Sequence, residues 1–256
     1  MTKVYFVGAG CGAVDLITVR GMNLIKEADV IIYAGSLVNP KLLEYNEKGA
    51  DIYNSATMDL NEVMEVMLPA ARSGKKVIRL HTGDPSLYGA IGEQIRELEK
   101  EGIDYEVVPG VSAAFGAAAE LACEMTLPDV SQTIIFTRME GKTKVPQKEA
   151  IEKLASHNAT MAIYLSGTMA EDLSSKLLEG GYKLSTPVAV CHKVTWEDQI
   201  IVRTDIEHMA QVVNDNDIKN TTLFLVGDSI GKNTDFELSR LYASDFSTAF
   251  RKAKYE

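Results

Sequence analysis

Three glycine-rich turns hold the residues best placed to do chemistry. The first is Gly8-Ala9-Gly10-Cys11-Gly12-Ala13, directly after an apolar run. The second is Thr82-Gly83-Asp84-Pro85-Ser86-Leu87-Tyr88-Gly89, and the third is Pro109-Gly110-Val111-Ser112-Ala113-Ala114. Glycine lets backbone approach a ligand closely and tolerates positive φ. In open α/β sheets, ligands gather at the carboxyl ends of strands. Gly8, Gly10 and Ala13 match the dinucleotide fingerprint Gly-x-Gly-x-x-Gly/Ala. Two features oppose a nicotinamide enzyme. The next helix has its best N-cap at Thr18, beyond the glycines. The second strand ends in Ala34-Gly35-Ser36, with no acidic residue for a ribose. Each turn also has a purely structural use. The first suits a tight turn with positive φ. Asp84 is a natural N-cap and Pro85 a natural first helical residue. At the third, free N–H groups at a helix start can receive ligand oxygens or a ring nitrogen. Its small residues Ala113, Ala114, Ala117 and Ala118 equally suit close packing of helix on sheet.

Other chemistries lack their residues. No Ser/His/Asp or paired-carboxylate signature stands out. His81, His157, His192 and His208 show no metal-ligand spacing, so no metal site is expected. Cys11, Cys123 and Cys191 are odd in number and far apart, which excludes a disulfide framework and fits a reducing cytoplasm. The net charge of −10 argues against nucleic-acid binding. Residues 1–10 run into a strand without a long apolar h-region, and no run reaches the ~18–20 residues that span a bilayer. No membrane association is expected.

The elements that position these turns alternate. Strand-like runs lie at 4–7, 30–33, 77–81, 105–108, 133–137, 161–165, 188–191, 200–203 and 223–226, with a weaker one at 52–53. Several are continuously apolar, as in strands of a parallel sheet covered on both faces. Between them, 58–72 and 86–100 carry apolar residues at spacings of three and four, which predicts helices. A small-residue helix is expected over 111–123. Alternation of this kind predicts an α/β architecture. With 256 residues and 46% apolar content the chain can build two cores. The break falls between Pro109 and Asp129, giving an N-terminal α/β lobe over 1–115 and a C-terminal one over 116–256. The second ends in an arm from Lys232 onward, where Phe236, Tyr242, Phe246 and Phe250 are spaced for an amphipathic helix or a docking arm.

In this order, the three turns resemble those of the tetrapyrrole methylases. The opening Gly8–Thr18 stretch follows the family's Gly-x-Gly-Pro-Gly-Asp-Pro-x-Leu-(Leu/Ile)-Thr, departing at Cys11, Ala13 and Val14 but keeping Asp15. The 82–89 turn matches the family's Gly-Asp-Pro loop, and 108–114 its Val-Pro-Gly-x-(Ser/Thr)-(Ser/Ala) turn. Further matches are Ile163-Tyr164-Leu165-Ser166, Pro187-Val188-Ala189-Val190, Val194-Thr195-Trp196 and Thr222-Leu223-Phe224-Leu225-Val226-Gly227. The resemblance implies two α/β lobes, each with a mostly parallel sheet flanked by helices, and an active-site cleft between them. It implies S-adenosyl-L-methionine as methyl donor, S-adenosyl-L-homocysteine as product, an acidic tetrapyrrole (a corrin precursor) as substrate, and a homodimer. By position, the cofactor contacts are Thr82, Gly83, Asp84, Ser112, Ala113, Leu165, Val194 and Thr222. Candidates to pair with substrate carboxylates are Arg20, Arg79, Arg138, Lys142 and Lys193, with His81 facing the substrate. Asp15 and His81 are the candidate catalytic groups. The alternatives are other branches of the same family, such as precorrin-2 or uroporphyrinogen-III methylation, and a dinucleotide-dependent oxidoreductase.

Overall fold

The computed structural model describes residues 3–35 and 37–254, so Ser36, read above as part of a strand end, lies outside the described residues. The chain divides into two compact units, 1–120 with 193–199, and 121–192 with 200–256. The expected 115/116 boundary lies inside helix α4 (Ala113–Glu120).

The first unit is a parallel five-stranded sheet of β1 (Val4–Gly8), β2 (Val30–Tyr33), β3 (Asp51–Asn54), β4 (Val77–His81) and β5 (Tyr105–Val108). The strand order is β3-β2-β4-β1-β5. Both faces are covered, which explains the unbroken apolar runs. Val4, Phe6, Ile32 and Val77 pack beneath α2 (Leu60–Arg72) and α3 (Ile91–Lys100). Val7, Ile31, Ile78 and Leu80 pack on the other face with Ile25 of α1 (Val19–Lys26). Thr18 caps α1 as expected, its side chain accepting from Gly21 N at 3.1 Å. Asp59 and Glu62 form a capping box that starts α2.

Helix α3 departs from expectation. The 86–100 pattern predicts its start at Ser86, but the helix begins at Ile91. Tyr88 and Ala90 have φ of 58° and 50°, which no helix accepts. Asp84 therefore caps a turn, accepting from Ser86 N at 2.8 Å, and not the helix.

The second unit contains β6 (Ile134–Arg138), α5 (Ile151–Ala155), β7 (Thr160–Tyr164), α6 (Ala170–Glu179), β8 (Pro187–His192), β9 (Ile200–Asp205), α7 (Met209–Asp215) and β10 (Thr222–Val226). Its sheet order is β6-β7-β10-β8-β9. The sheet is mixed and not mostly parallel: only β6 and β7 pair parallel, and the other three pairs are antiparallel. The core beneath it joins Met161, Ile163, Val188, Val190 and Phe224 to Leu173, Leu177 and Met209. Among the described residues the C-terminal arm forms no amphipathic helix. It makes one 3-10 turn, Arg240–Tyr242, and folds around Arg251, whose guanidinium donates to the carbonyls of Leu241, Ala243 and Phe246.

Candidate active site

Sheet order explains why the three glycine turns meet. β4, β1 and β5 are neighbours and all parallel, so the turns that follow them leave the same edge. There they interlock. Gly10 and Gly83 form an isolated bridge, with Gly83 N on Gly10 O at 2.8 Å and Gly10 N on Gly83 O at 3.3 Å. Ala9 N donates to His81 O at 2.7 Å. Asp84 ties in the third turn, accepting from Gly110 N at 2.9 Å. A side chain on Gly8 would lie 2.6 Å from Gly110 Cα and 2.7 Å from Gly83 O, and one on Gly110 would lie 2.1 Å from Gly83 O, so the junction closes only because Gly8 and Gly110 lack one.

Gly83 differs from its partners. Its φ of +57° favours glycine, yet a Cβ there would meet nothing nearer than Ser112 Cα at 3.7 Å. The second and third turns therefore flank a narrow open cradle, with Ser112 at its wall. Such a cradle fits a ligand held by backbone and small side chains, as the expected cofactor contacts Thr82, Gly83, Asp84, Ser112 and Ala113 require. Thr82 Oγ1 donates to Leu37 O at 3.0 Å, which fixes the start of the second turn.

The first turn is braced from 193–199. Thr195 Oγ1 accepts from Ala13 N at 2.9 Å and faces Cys11 Sγ at 3.4 Å. A side chain on Gly12 would strike Trp196 and would lie 2.6 Å from Val194 O. Asn39 Nδ2 donates to Gly12 O at 2.9 Å. Val194 is 3% exposed. Sequence reasoning does not single out Asn39 or Trp196 as site residues. Asn39 precedes a proline and reads as turn chemistry, and Trp196 acts through a distant segment that linear spacing does not connect to Gly12.

The remaining candidates fall in varied settings. Asp15 is exposed, in the 3-10 turn Val14–Leu16. His81 is 4% exposed, and Nε2 has no hydrogen-bond partner. Burial first, then the neighbouring Arg79 charge, push its pKa down to about 3, so it is neutral and no cation for a carboxylate. Arg79 is 7% exposed and donates to Gln94 Oε1 at 3.1 Å and Ile32 O at 3.2 Å. It braces β4 against α3 and β2 from inside instead of facing a substrate. Arg20 is exposed, 3.4 Å from Glu106. Lys193 pairs with Asp198. In the second unit Lys142 is exposed, and Arg138 commits its donors to its own loop, on Met139 O, Thr143 O and Lys144 O at 2.9–3.2 Å. Leu165 is 62% exposed with φ +56°, and Thr222 is 6% exposed, its hydroxyl donating to Asn220 O at 3.0 Å. Among the described residues no group of three His, Cys, Asp or Glu could hold a metal, and no helix is long and apolar enough to cross a membrane.

Known proteins match along most of the chain. The family model for Tetrapyrrole (Corrin/Porphyrin) Methylases matches residues 3–210. A cobalt-precorrin-4 C(11)-methyltransferase of Methanocaldococcus jannaschii is 53% identical over 251 residues, covering 98% of this chain and 96% of its own. A precorrin-4 C(11)-methyltransferase of Pseudomonas aeruginosa is 46% identical over 248 residues, covering 97% and 98%. The solved structure of a cobalamin biosynthetic enzyme, cobalt precorrin-4 methyltransferase, superimposes with a TM-score of 0.87 at 43% identity, over 90% of this chain and 96% of that one.

Proposed function

This chain belongs to the tetrapyrrole methylases, and from that premise we propose how its residues carry out the family's chemistry. It is an S-adenosylmethionine-dependent C-methyltransferase that acts on carbon 11 of precorrin-4, cobalt-loaded or metal-free, in cobalamin biosynthesis. The Gly8–Gly83–Gly110 junction carries the site assignment, because it brings three cofactor-type turns to one sheet edge.

S-adenosylmethionine supplies a methyl group on a sulfonium centre, already activated for attack by an electron-rich ring carbon. The protein's task is then orientation, which is worth effective molarities of roughly 10⁵–10⁸ M in well-aligned reactions. The residues assigned to the cofactor are Thr82, Gly83, Asp84, Ser112, Ala113, Leu165, Val194 and Thr222. Exposed Lys142 and Arg20, with half-buried Lys193, are the cations assigned to substrate carboxylates. Asp15, exposed beside the first turn, is the carboxylate available to accept the proton lost from the ring. His81 stays neutral at the base of the second turn.

We place the enzyme in the cytoplasm as a homodimer. Its three free cysteines suit a reducing compartment. Exposed Leu238, Tyr242 and Phe250 on the arm offer apolar surface for a second copy, and sedimentation measures that assembly. Incubation with methyl-labelled S-adenosylmethionine and either cobalt-precorrin-4 or metal-free precorrin-4 tests the activity. Label at carbon 11 is expected, and label at another ring carbon, or none with either substrate, overturns it.

A further inference from the structure

Ser166 closes a junction that the assignments above leave unused. β6 and β7 are parallel neighbours, with Arg138 opposite Tyr164. Beyond Arg138 the chain enters the basic loop 139–146, which carries Lys142 and Lys144. Beyond Tyr164 it enters the turn that carries Leu165. The Ser166 side chain, 0% exposed, stands between the two. Its hydroxyl donates to Tyr164 O at 2.7 Å and accepts from Met139 N at 3.1 Å. One oxygen thus joins the root of the basic loop to the Leu165 turn.

Both sides of this junction are stiff. On the loop side, Arg138 donates to three loop carbonyls, and Val145 N donates to Glu140 Oε2 at 3.0 Å. Met139 is 2% exposed and sits in the core with Ala170 and Leu173. Displacement at Met139 therefore moves the whole loop. On the turn side, Leu165 holds a positive φ of 56°, a conformation that persists only where its surroundings enforce it. Without the Ser166 oxygen the buried Met139 N–H would lack its acceptor, and the turn would lose its brace at Tyr164 O.

We propose that Ser166 is a positioning residue that couples the basic loop to the Leu165 turn, so that affinities for tetrapyrrole and cofactor change together. The coupling rests on the assignment of Leu165 to the cofactor and Lys142 to the substrate. The test measures S-adenosylhomocysteine affinity by calorimetry, tetrapyrrole KM and kcat, and Tm, all on the full chain. Ser166→Ala is expected to raise both the S-adenosylhomocysteine Kd and the tetrapyrrole KM about five- to tenfold, with kcat changed less than about twofold, as suits loss of one hydrogen bond. Ser166→Cys, which keeps the side-chain shape with a somewhat larger sulfur as a weak acceptor, is expected to fall between wild type and Ser166→Ala and serves if the alanine variant does not fold. Leu165→Ala should weaken S-adenosylhomocysteine alone, and Lys142→Ala should raise tetrapyrrole KM alone. If those two variants leave both affinities at wild-type values, the assignment itself fails and the coupling falls with it. If they behave as expected while the Ser166 variants change only one affinity, or only Tm, the coupling is overturned and the assignment stands.

Discussion

Gly8→Ala probes the glycine junction with one carbon atom. A Cβ at Gly8 would lie 2.6 Å from Gly110 Cα, 2.6 Å from Gly110 N and 2.7 Å from Gly83 O. Real Cβ contacts stay beyond 3.0 Å, and all three neighbours are backbone, so no side chain can rotate away. The ends of β4 and β5 must each retreat from β1 by several tenths of an ångström. Overpacking of this kind costs about 1–3 kcal/mol. The retreat also strains the Gly10–Gly83 bridge and the Gly110–Asp84 bond, and losing one adds about 1 kcal/mol. A total of about 2–4 kcal/mol corresponds to a Tm lowered by roughly 4–16 °C, at about 2–4 °C per kcal/mol for a chain of this size. Calorimetric titration should show S-adenosylhomocysteine affinity falling more than about tenfold, because Gly83 lines the cradle. Gly92→Ala is the control. It lies in α3 with nothing within 4 Å of its added carbon, and should stabilise the helix by about 0.5–1 kcal/mol. If Gly8→Ala melts within about 2 °C of wild type and binds S-adenosylhomocysteine equally well, the turns do not depend on their mutual contact and the site argument collapses.

Two further outcomes follow from named contacts. Thr195→Val removes the acceptor of Ala13 N and should lower stability by about 1–2 kcal/mol while weakening S-adenosylhomocysteine; unaltered chemical denaturation would show that 193–199 does not brace the first turn. His81 has a folded pKa of about 3 against an ordinary value near 6.5, so between those pH values the unfolded chain binds more protons and stability rises with pH. Urea unfolding at pH 4.5 and 7 should therefore show an acid loss of stability of up to about 1.4 kcal/mol per pH unit that His81→Leu removes, and an equal loss in both proteins would place the proton elsewhere.

In the first sheet β1, β2 and β4 were legible because they are buried on both faces and read as plain apolar runs, whereas the exposed edge strand β3 left only a weak signal. The interlock of Gly8, Gly83 and Gly110 followed once their three strands were neighbours. Adjacency in the second sheet is what a linear pattern cannot carry. Its helical connectors α6 and α7 do join strands that run the same way, since β7 and β8 both oppose β10, and β9 and β10 both oppose β8. The β8–β9 hairpin reverses the chain, and β10 then inserts between β7 and β8, making those pairs antiparallel. Apolar periodicity placed 86–90 in a helix, but Leu87 and Ala90 fit a helical face equally well inside a turn wound through positive φ at Tyr88 and Ala90. Arg79 within β4, and His81 and Arg138 at strand ends, were visible as charges or titratable groups. Whether such a group faces solvent, a neighbouring carbonyl or the core depends on the face of the strand and on the helix above it, which spacing alone leaves open.

The segment 193–199 bears on how the chain is made. Synthesis runs from the amino end, and domains generally fold as they emerge. The first unit cannot do so to completion, because Thr195 and Trp196, which brace its opening turn, follow residues 121–192 of the other unit. Until the ribosome has passed Gln199, the nascent first unit carries an unbraced Gly12 turn and an Ala13 N–H without its Thr195 partner. A fragment ending at Glu120 would remain permanently in that state. The Gly12 turn is thus matured late, only after residues 121–192 of the second unit have been synthesised.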